Sequence, residues 1–197
     1  MTRQQDPSKK PALLERILDY LIDEPLSALT FRGLANALGV SAFTLVYHFG
    51  TRDDLVRDII DAIANRQRGF ETVFDPETVT LDSYVEGLRA TFEHSLLPRN
   101  VALQRLEFEA EMLEVASADH ALTRVAHESL HSRARSTLLA LGLEPDDAAA
   151  EAQLLLDTFY GIQISLVITD DRARARTAFD RALRHHTSAI APYLGVF

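Results

Sequence analysis

The stretch that decides the fold is TFRGLANALGVSAFTLVYHF, residues 30–49. The side chains of Thr30 and Ser41 can accept hydrogen bonds from the first backbone N–H groups of a helix, and Gly39 can adopt the left-handed conformation that ends one. The pattern predicts a helix, a three-residue turn and a second helix that ends near Phe49. This is a helix–turn–helix, whose second helix can enter the major groove of DNA. A purely structural corner between two helices is the alternative.

A third helix is predicted upstream, because apolar residues recur there at spacings of three and four. The segment DEPLSA, residues 23–28, ends this helix at Pro25. Two short helices bury little on their own, so we expect the upstream helix to cover them and complete a three-helix domain. The apolar residues are Leu13, Leu14, Ile17, Leu18, Leu21 and Ile22.

The second helix of the motif carries more aromatic side chains than one inward stripe can hold. At about 100° per residue, Leu45 and Phe49 share the inward face. An exposed Phe and Tyr one turn apart are costly without a partner. A DNA groove supplies one, since apolar groups contact thymine methyl groups and hydroxyl groups reach phosphates; packing of Phe43 on a neighbouring helix is the alternative. Predicted to point outward, with the last at the edge, are Phe43, Thr44, Tyr47 and His48.

Composition narrows the class of protein. The 197 residues include no cysteine, which excludes disulfides and thiolate metal sites. Residues 1–52 carry six basic and five acidic groups, whereas the rest carries 14 basic and 24 acidic groups. The excess of acidic residues that gives the net charge of −9 therefore lies after residue 52. The polar first ten residues and the lack of an apolar run near 20 residues predict no signal peptide, no membrane span and a cytoplasmic location.

Helical periodicity continues to the end of the chain, so we expect an all-α fold of about nine helices. Thr51 is predicted to cap a fourth helix that runs to about Phe70, with Asp53 and Asp54 in its first turn. The segment ETVFDPETVT, 71–80, reads as a linker. Five long helices are predicted at about 80–97, 100–116, 119–141, 146–168 and 171–191, separated by LPRN, SADH, GLEPDD and TDDR. The expected domains are a DNA-binding domain at 1–52, a connection at 53–75 and a helical bundle at 76–197.

The N-terminal motif resembles the TetR family of transcriptional repressors. The family pattern LT-x-R-x-LA-x-x-LGVS is matched by LTFRGLANALGVS, and TLY-x-HF-x-x-K-x-x-L by TLVYHFGTRDDL. Val46 departs from the pattern, because the family usually has a phosphate-contacting Tyr there, and Tyr47 follows one place later. Arg52 takes the position of the family's Lys. The resemblance implies that the residues contacting DNA are Thr30, Arg32, Ser41, Phe43, Thr44, Tyr47, His48 and Arg52.

The resemblance also implies a homodimer built on the last two long helices, a palindromic double-stranded DNA operator, and a small apolar or amphipathic effector that releases the repressor. Helix 146–168 independently favours the dimer, because its apolar residues cover more than one face. In the last helix, Ala175, Ala178, Phe179 and Leu183 are expected to pack, with arginines on the rim. Candidate effector contacts in the bundle are Tyr84, Leu88, Phe92, Leu103, Leu106, Met112, His127, Phe159 and Gln163.

No constellation of catalytic residues points to an enzyme, and no cofactor or metal is predicted. His127 and His131 have a chelating spacing but no third ligand in the pattern. The acidic residues of EFEAEMLE, Glu107, Glu109, Glu111 and Glu114, read as a solvated helix face, with an acidic pocket for a cation as the alternative. The competing function is a helical ligand-binding or scaffold protein that has lost DNA binding, which Val46 and the weak local charge would favour.

Overall fold

The computed structural model describes residues 9–70, 74–116 and 121–194, and the regular elements within them are all helical. The predicted all-α fold and the number of helices are confirmed for these residues. Two short 3-10 helices, Leu26–Ala28 and Ala191–Leu194, were not predicted. The α-helices are α1 (Lys9–Leu21), α2 (Phe31–Leu38), α3 (Ala42–Phe49), α4 (Arg52–Phe70), α5 (Leu81–Ser95), α6 (Pro98–Val115), α7 (Ala121–Ala140), α8 (Pro145–Thr169) and α9 (Arg172–Ile190).

The helices end near the cap and turn residues that the sequence predicted, except at one predicted break. The predicted break LPRN, residues 97–100, is helical from its second residue, because α6 begins at Pro98. A proline fits the first turn of a helix, where its missing N–H would have no partner. In TDDR, Asp170 takes the left-handed conformation and Asp171 accepts the N–H of Arg174 at 2.9 Å. The predicted break SADH, 117–120, and the start of the predicted linker, 71–73, lie outside the described residues.

The chain forms two compact units. Of the described residues, the first unit contains 9–68, 105–116 and 121–123. The second unit contains all the others. Leu106 and Ala110 of α6 are fully buried in the core of the first unit, although their place in the sequence is far from α1–α4. The core side chains with no or almost no exposure in this unit include Ile17, Leu18, Leu21, Leu26, Leu34, Leu45, Leu55, Ile59, Ile63 and Leu106.

Two charged side chains of α6 hold the connection between α1 and α2. The guanidinium of Arg105 donates to three backbone carbonyl oxygens at the end of α1, and Glu109 accepts the N–H of Leu26 at 2.6 Å. Arg105 and Glu109 also pair with each other. The end of a helix leaves its last carbonyl groups without intrahelical partners, so this guanidinium serves as their cap. The carbonyl oxygens belong to Leu21, Ile22 and Glu24.

The predicted solvated acidic face of α6 is wrong for Glu114. Its buried carboxylate accepts the backbone N–H groups of Leu122 at 3.0 Å and Thr123 at 2.7 Å, and also the Thr123 hydroxyl. The first turn of α7 exposes N–H groups with a positive dipole end, which favours a carboxylate there. Burial, with the nearby charge of Glu114, raises the pKa of Glu111.

The second unit has two apolar clusters. One surrounds Tyr84 and includes Leu138, Ala148, Ala152 and Ile190. In the other, the rings of Phe92 and Phe179 stack with centroids 3.9 Å apart, and Phe159 meets both edge-on. The predicted packing of Ala175, Phe179 and Leu183 holds, but Ala178 is exposed, because it lies about 100° around the helix from Phe179.

A buried polar chain links three helices of the second unit. The Tyr84 hydroxyl on α5 lies 3.0 Å from Nε2 of His186 on α9, and Nδ1 of His186 lies 3.1 Å from a carboxylate oxygen of Glu151 on α8. A carboxylate accepts only, so Nδ1 donates to Glu151 and Tyr84 donates to Nε2 of a neutral His186. Burial lowers the pKa of His186, against the opposing effect of Glu151, and burial also raises the pKa of Tyr84.

The exposed side of α8 carries three large apolar side chains, together with the hydrogen-bonded pair of Gln153 and Asp157. Leu154, Ile164 and Ile168 are exposed, the last to 76%. By length and composition alone α8 is apolar enough to cross a membrane, a property it shares with the core helices of many globular proteins. The residues that are buried in the unit, Ala148, Ala152, Leu156 and Leu166, lie on a different face.

Candidate nucleic-acid interface

The helix–turn–helix forms as its capping signals predicted. The Thr30 side chain accepts the N–H of Gly33 at 3.1 Å, and the Ser41 side chain accepts that of Thr44 at 3.0 Å. Gly39 ends α2 with a φ of 65°. The two helices therefore start and stop at fixed residues, which sets the direction in which α3 presents its side chains.

The predicted division of the α3 aromatics is confirmed by burial. Leu45 and Phe49 lie in the core, whereas Phe43 is 77% and Tyr47 53% exposed. The Phe43 and Tyr47 rings stack with centroids 6.3 Å apart, so they form one continuous aromatic surface. The alternative, in which Phe43 packs against a neighbouring helix, does not hold for the described residues.

His48 and Thr44 are half-buried at the edges of this surface. The His48 ring meets the Tyr47 ring edge-on, with centroids 5.2 Å apart, and its centroid lies 6.4 Å from that of the Phe49 ring. The Thr44 hydroxyl is 2.8 Å from the Ser41 hydroxyl, so both belong to the cap of α3. Val46 is 47% exposed on the adjoining face, where it adds an aliphatic group beside the aromatic pair.

Most basic groups of the domain, among the residues from position 9 onward that the structure describes, are engaged internally. Lys10 pairs with Asp58 at 2.8 Å, and the Arg16 guanidinium donates to the Leu38 carbonyl. Arg32 is exposed in the first turn of α2. Asp58 therefore offsets the charge of Lys10, whereas Arg16 keeps its full positive charge, because a backbone carbonyl is neutral.

Arg52 has a structural task that its sequence position did not show. Its Nε donates to the Leu29 carbonyl at 3.2 Å and one terminal nitrogen donates to the Leu26 carbonyl at 3.3 Å. These bonds tie the start of α4 to the segment before α2. The predicted phosphate contact of Arg52 stays a prediction, because the guanidinium has further N–H groups.

Reciprocal hydrogen bonds cap the start of α4. Thr51 and Asp54 cap each other, since the Thr51 N–H donates to Asp54 at 2.9 Å and the Asp54 N–H donates to the Thr51 hydroxyl at 3.1 Å. The hydrogen bonds from Thr51, with Arg57 nearby, lower the pKa of Asp54. The predicted cap at Thr51 is therefore present, and it fixes the angle at which α4 leaves the motif.

The candidate effector contacts fall into different environments. Leu106 is in the core of the first unit and Met112 is largely exposed. Tyr84 and Phe92 are core residues of the second unit. The structure brings together Phe92 and Phe159, whose centroids are 5.7 Å apart. The half-buried members of the set are Leu88, Leu103, His127, Phe159 and Gln163, and their role in binding stays a prediction.

Two histidines of α7 contact residues of α8. Nε2 of His131 lies 3.2 Å from the Ala149 carbonyl, and the His127 ring lies against Tyr160. Among the described residues no group of three His, Asp or Glu could hold a metal ion. Sequence reasoning missed the buried pair of His186 and Glu151: His186 lies three residues after inward Leu183, but no spacing rule indicates its partner on α8.

Comparisons with known proteins agree with this architecture. Residues 13–59 match the family model "Bacterial regulatory proteins, tetR family". Among solved structures, a TetR family transcriptional regulator from Pseudomonas syringae pv. tomato str. DC3000 has a TM-score of 0.66 at 15% identity, covering 93% of this chain and 97% of that one.

Two further structures share the fold. The multidrug binding protein EbrR, complexed with imidazole, has a TM-score of 0.61 at 24% identity, with 92% of this chain and 93% of that chain covered. A TetR transcriptional regulator from Rhodococcus sp. RHA1 has a TM-score of 0.54 at 18% identity, with 98% and 100% covered. No curated protein sequence matches the chain.

Proposed function

We propose, on the premise that this chain belongs to the TetR family of bacterial regulatory proteins through its N-terminal domain, that it is a homodimeric transcriptional repressor. Its fold is that of a DNA-binding regulator with a helical C-terminal region. The proposed target is a palindromic operator, since two copies related by a two-fold axis would present two α3 helices. A small apolar or amphipathic effector would release the DNA.

The observation that carries the proposal is the exposed pair of Phe43 and Tyr47 on the second helix of the motif. In α3 the two large apolar side chains of the inward stripe, Leu45 and Phe49, are buried, yet the helix presents two stacked rings to solvent. Thymine methyl groups and the sugar–phosphate backbone offer a matching surface in the major groove. Exposed Arg32, at the start of α2, adds a charge that could reach phosphate or a base edge.

DNA binding is tested by fluorescence anisotropy of the full-length protein with the double-stranded region upstream of its own gene. Tyr47→Ala and Phe43→Ala are each expected to weaken binding at least tenfold, because each removes a side chain from the proposed interface. Leu97→Ala is the matched control, since Leu97 is also an exposed apolar residue but lies in the second unit. Wild-type affinity in both α3 variants would remove α3 from the interface.

Arg32→Ala is the better probe of phosphate contacts than Arg52→Ala. Arg52 also bonds two backbone carbonyl oxygens, so its loss would change the domain as well as the charge. Arg32→Ala should lower affinity uniformly across sequences and reduce the slope of log K against log salt by about one. An unchanged slope would exclude Arg32 from phosphate binding.

The exposed apolar side chains of α8 support the homodimer. Exposed Leu154, Ile164 and Ile168 need a partner, and a helix buried on two sides explains the apolar circumference of α8. Sedimentation at micromolar concentration should give a dimer for the wild type and a monomer for the Ile164→Glu, Ile168→Glu variant. Leu97→Glu, an equally drastic change elsewhere in the same unit, should stay dimeric. A monomeric wild type would refute the dimer.

The proposed effector is a small apolar or amphipathic molecule. A protein of the same fold is named for multidrug binding and was solved with imidazole, which suggests small organic molecules as a class to test. Operator and effector would weaken each other's binding by the same factor. A library of apolar and amphipathic compounds should therefore contain molecules that raise the operator Kd. Tight binding that no compound reverses would indicate a repressor without an effector.

The competing function, a helical protein without DNA binding, makes the opposite prediction. If the protein has this function, it binds no specific duplex more tightly than random DNA at any salt concentration. The absence of specific binding in a selection from random duplexes would favour it.

A further inference from the structure

The exposed face of α3 contains almost no groups that read bases by hydrogen bonds. Its sequence, AFTLVYHF, has no Arg, Lys, Asn, Gln, Asp or Glu. Arg or Lys pairs with guanine, Asn or Gln with adenine, and Asp or Glu with the amino group of cytosine. A recognition helix without these residues cannot make the usual paired hydrogen bonds that distinguish one base from another.

The polar groups that α3 does carry are partly committed. Ser41 and Thr44 share a hydrogen bond of 2.8 Å, and the Ser41 oxygen also accepts the Thr44 N–H. His48 is half-buried with its ring against Tyr47 and Phe49. The most exposed surface is therefore formed by the apolar groups of Phe43 and Val46 and by the Tyr47 ring.

The apolar feature of the major groove is the C5-methyl group of thymine. We propose that α3 recognises its operator through pyrimidine C5-methyl groups, so that 5-methylcytosine can replace thymine at the contacted positions. The methyl group occupies carbon 5 of the ring in both bases. This inference rests on the proposed function and specifies the chemistry that the same surface reads.

The dimensions of the surface suggest how many methyl groups it covers. Phe43 and Tyr47 are four residues apart, which is about 6 Å along the helix axis. Neighbouring base pairs are about 3.4 Å apart, so the aromatic pair spans about two base-pair steps. Val46, on the adjoining face, widens the surface around the helix. Each half-site should thus contain two or three adjacent positions at which a methyl group matters.

The test begins with a duplex selected from a random double-stranded library by the full-length protein. Each thymine in the selected sequence is replaced in turn by deoxyuridine, which removes the methyl group alone. At contacted positions Kd should rise about fourfold, which is the expected effect of losing one buried methyl group. Replacement at both symmetry-related positions should raise it about 15-fold.

A second pair of duplexes tests the methyl group on a different base. The contacted T·A pair is replaced by C·G, with and without a methyl group on cytosine carbon 5. Methylation should recover about fourfold in affinity at these positions and should have no effect at positions where deoxyuridine had none. This comparison keeps the partner guanine constant, so only the methyl group differs.

Protein variants assign the contact. In Phe43→Ala, thymine and deoxyuridine should bind equally at the position that Phe43 reads, because the methyl group has lost its partner. Val46→Thr has nearly the same shape as the wild type and replaces one methyl with a hydroxyl, so it should weaken the methyl preference only at the position it reads. Phe43 and Val46 are exposed, and circular dichroism should show that both variants stay folded.

The outcomes separate the two proposals. Specific binding to the selected duplex with no effect of deoxyuridine at any position would overturn methyl recognition and leave the proposed function standing. Methyl dependence that persists in Phe43→Ala, in Val46→Thr and in Tyr47→Ala would also overturn it, because the methyl group would then be read outside this surface. Failure to select any duplex would overturn the proposed function, and methyl recognition with it.

Discussion

Replacing His186 with Phe should reveal how strongly the buried polar chain is coupled. His186 accepts from the Tyr84 hydroxyl and donates to Glu151. Tyr84 is only 2% exposed, so without His186 its hydroxyl lies in the core with no acceptor from the chain described above. Leaving a buried hydroxyl unsatisfied costs about 1–3 kcal/mol. Glu151 retains partial exposure, so water can replace its lost donor and its contribution should be small.

The size of the coupling follows from a double-mutant cycle. Tyr84→Phe alone strands Nε2 of His186, at a similar cost, whereas Tyr84→Phe with His186→Phe removes both partners together. The double variant should therefore be about 1–2 kcal/mol more stable than the two single losses predict. The free energy of unfolding is measured in urea by circular dichroism at one fixed protein concentration, because a dimer would make it concentration-dependent.

The same variant should change the dependence of stability on pH. Burial lowers the pKa of His186 from its ordinary value of 6.5, so the unfolded chain binds the proton more readily than the folded one. The contribution of neutral His186 is complete above pH 6.5 and is lost as the pH falls below it. His186→Phe should flatten this fall. The two proteins differ only at residue 186, so the difference between the two curves isolates His186.

Two results would refute this reasoning. Additive losses, within about 0.5 kcal/mol, would mean that the Tyr84–His186 bond is not a coupled unit. A stability difference between wild type and His186→Phe that does not vary across pH 6.5 would mean that the folded protein does not resist protonation of His186.

Two further predictions concern the first unit. Glu114→Gln should destabilise the protein by about 1–2 kcal/mol, because the N–H groups at the start of α7 lose a charged acceptor. Glu86→Gln, at an exposed position of α5, is the control and should be neutral in the same urea assay. Gly50→Ala should lower the free energy of unfolding by about 2–3 kcal/mol, because the φ of Gly50 is 72° and a Cβ would lie 2.8 Å from the capping oxygen of Asp54. Gly39→Ala, where a Cβ would meet open space, should lower it by about 1 kcal/mol. Equal losses at the two glycines would contradict the steric argument.

The local features of the fold could be predicted because short-range chemistry determines them. Thr30, Ser41 and Gly39 act within three residues of themselves, so their caps can be read from the sequence. The inward and outward sides of α3 follow from helical rotation alone. The alternation of helices and breaks in the C-terminal half follows from the same periodicity, and the helix bounds agree to within about two residues.

The missed features depend on residues brought together from distant parts of the chain. Arg105 caps α1 across more than 80 residues, and no spacing rule indicates that partner. Glu114 reads as solvated because its partners at Leu122 and Thr123 lie beyond a break. The inward position of His186 follows from its spacing to Leu183, but its partners Tyr84 and Glu151 lie on other helices and could not be read from the sequence.

The candidate interface shows the same division. Outward Phe43 and Tyr47 could be predicted from angular position, and the structure confirms their exposure. The engagement of Arg52 with the Leu26 and Leu29 carbonyls could not, because the resemblance gave that position a phosphate role. Its backbone partners become visible only when α4 and the segment before α2 are placed together.

The internal use of basic side chains has a consequence for how such a regulator would search a genome. Non-specific attachment to DNA is an electrostatic attraction between cations and phosphates, and it governs how long a protein slides along unrelated sequence. Lys10 and Arg57 are paired with carboxylates, which offset their charges, whereas Arg16 donates to a neutral carbonyl and keeps its own. Residues 1–52 carry only one more basic than acidic group. If the domain binds DNA as proposed, random chromosomal DNA would retain few copies. A larger share of a small cellular pool would then be free to occupy the operator.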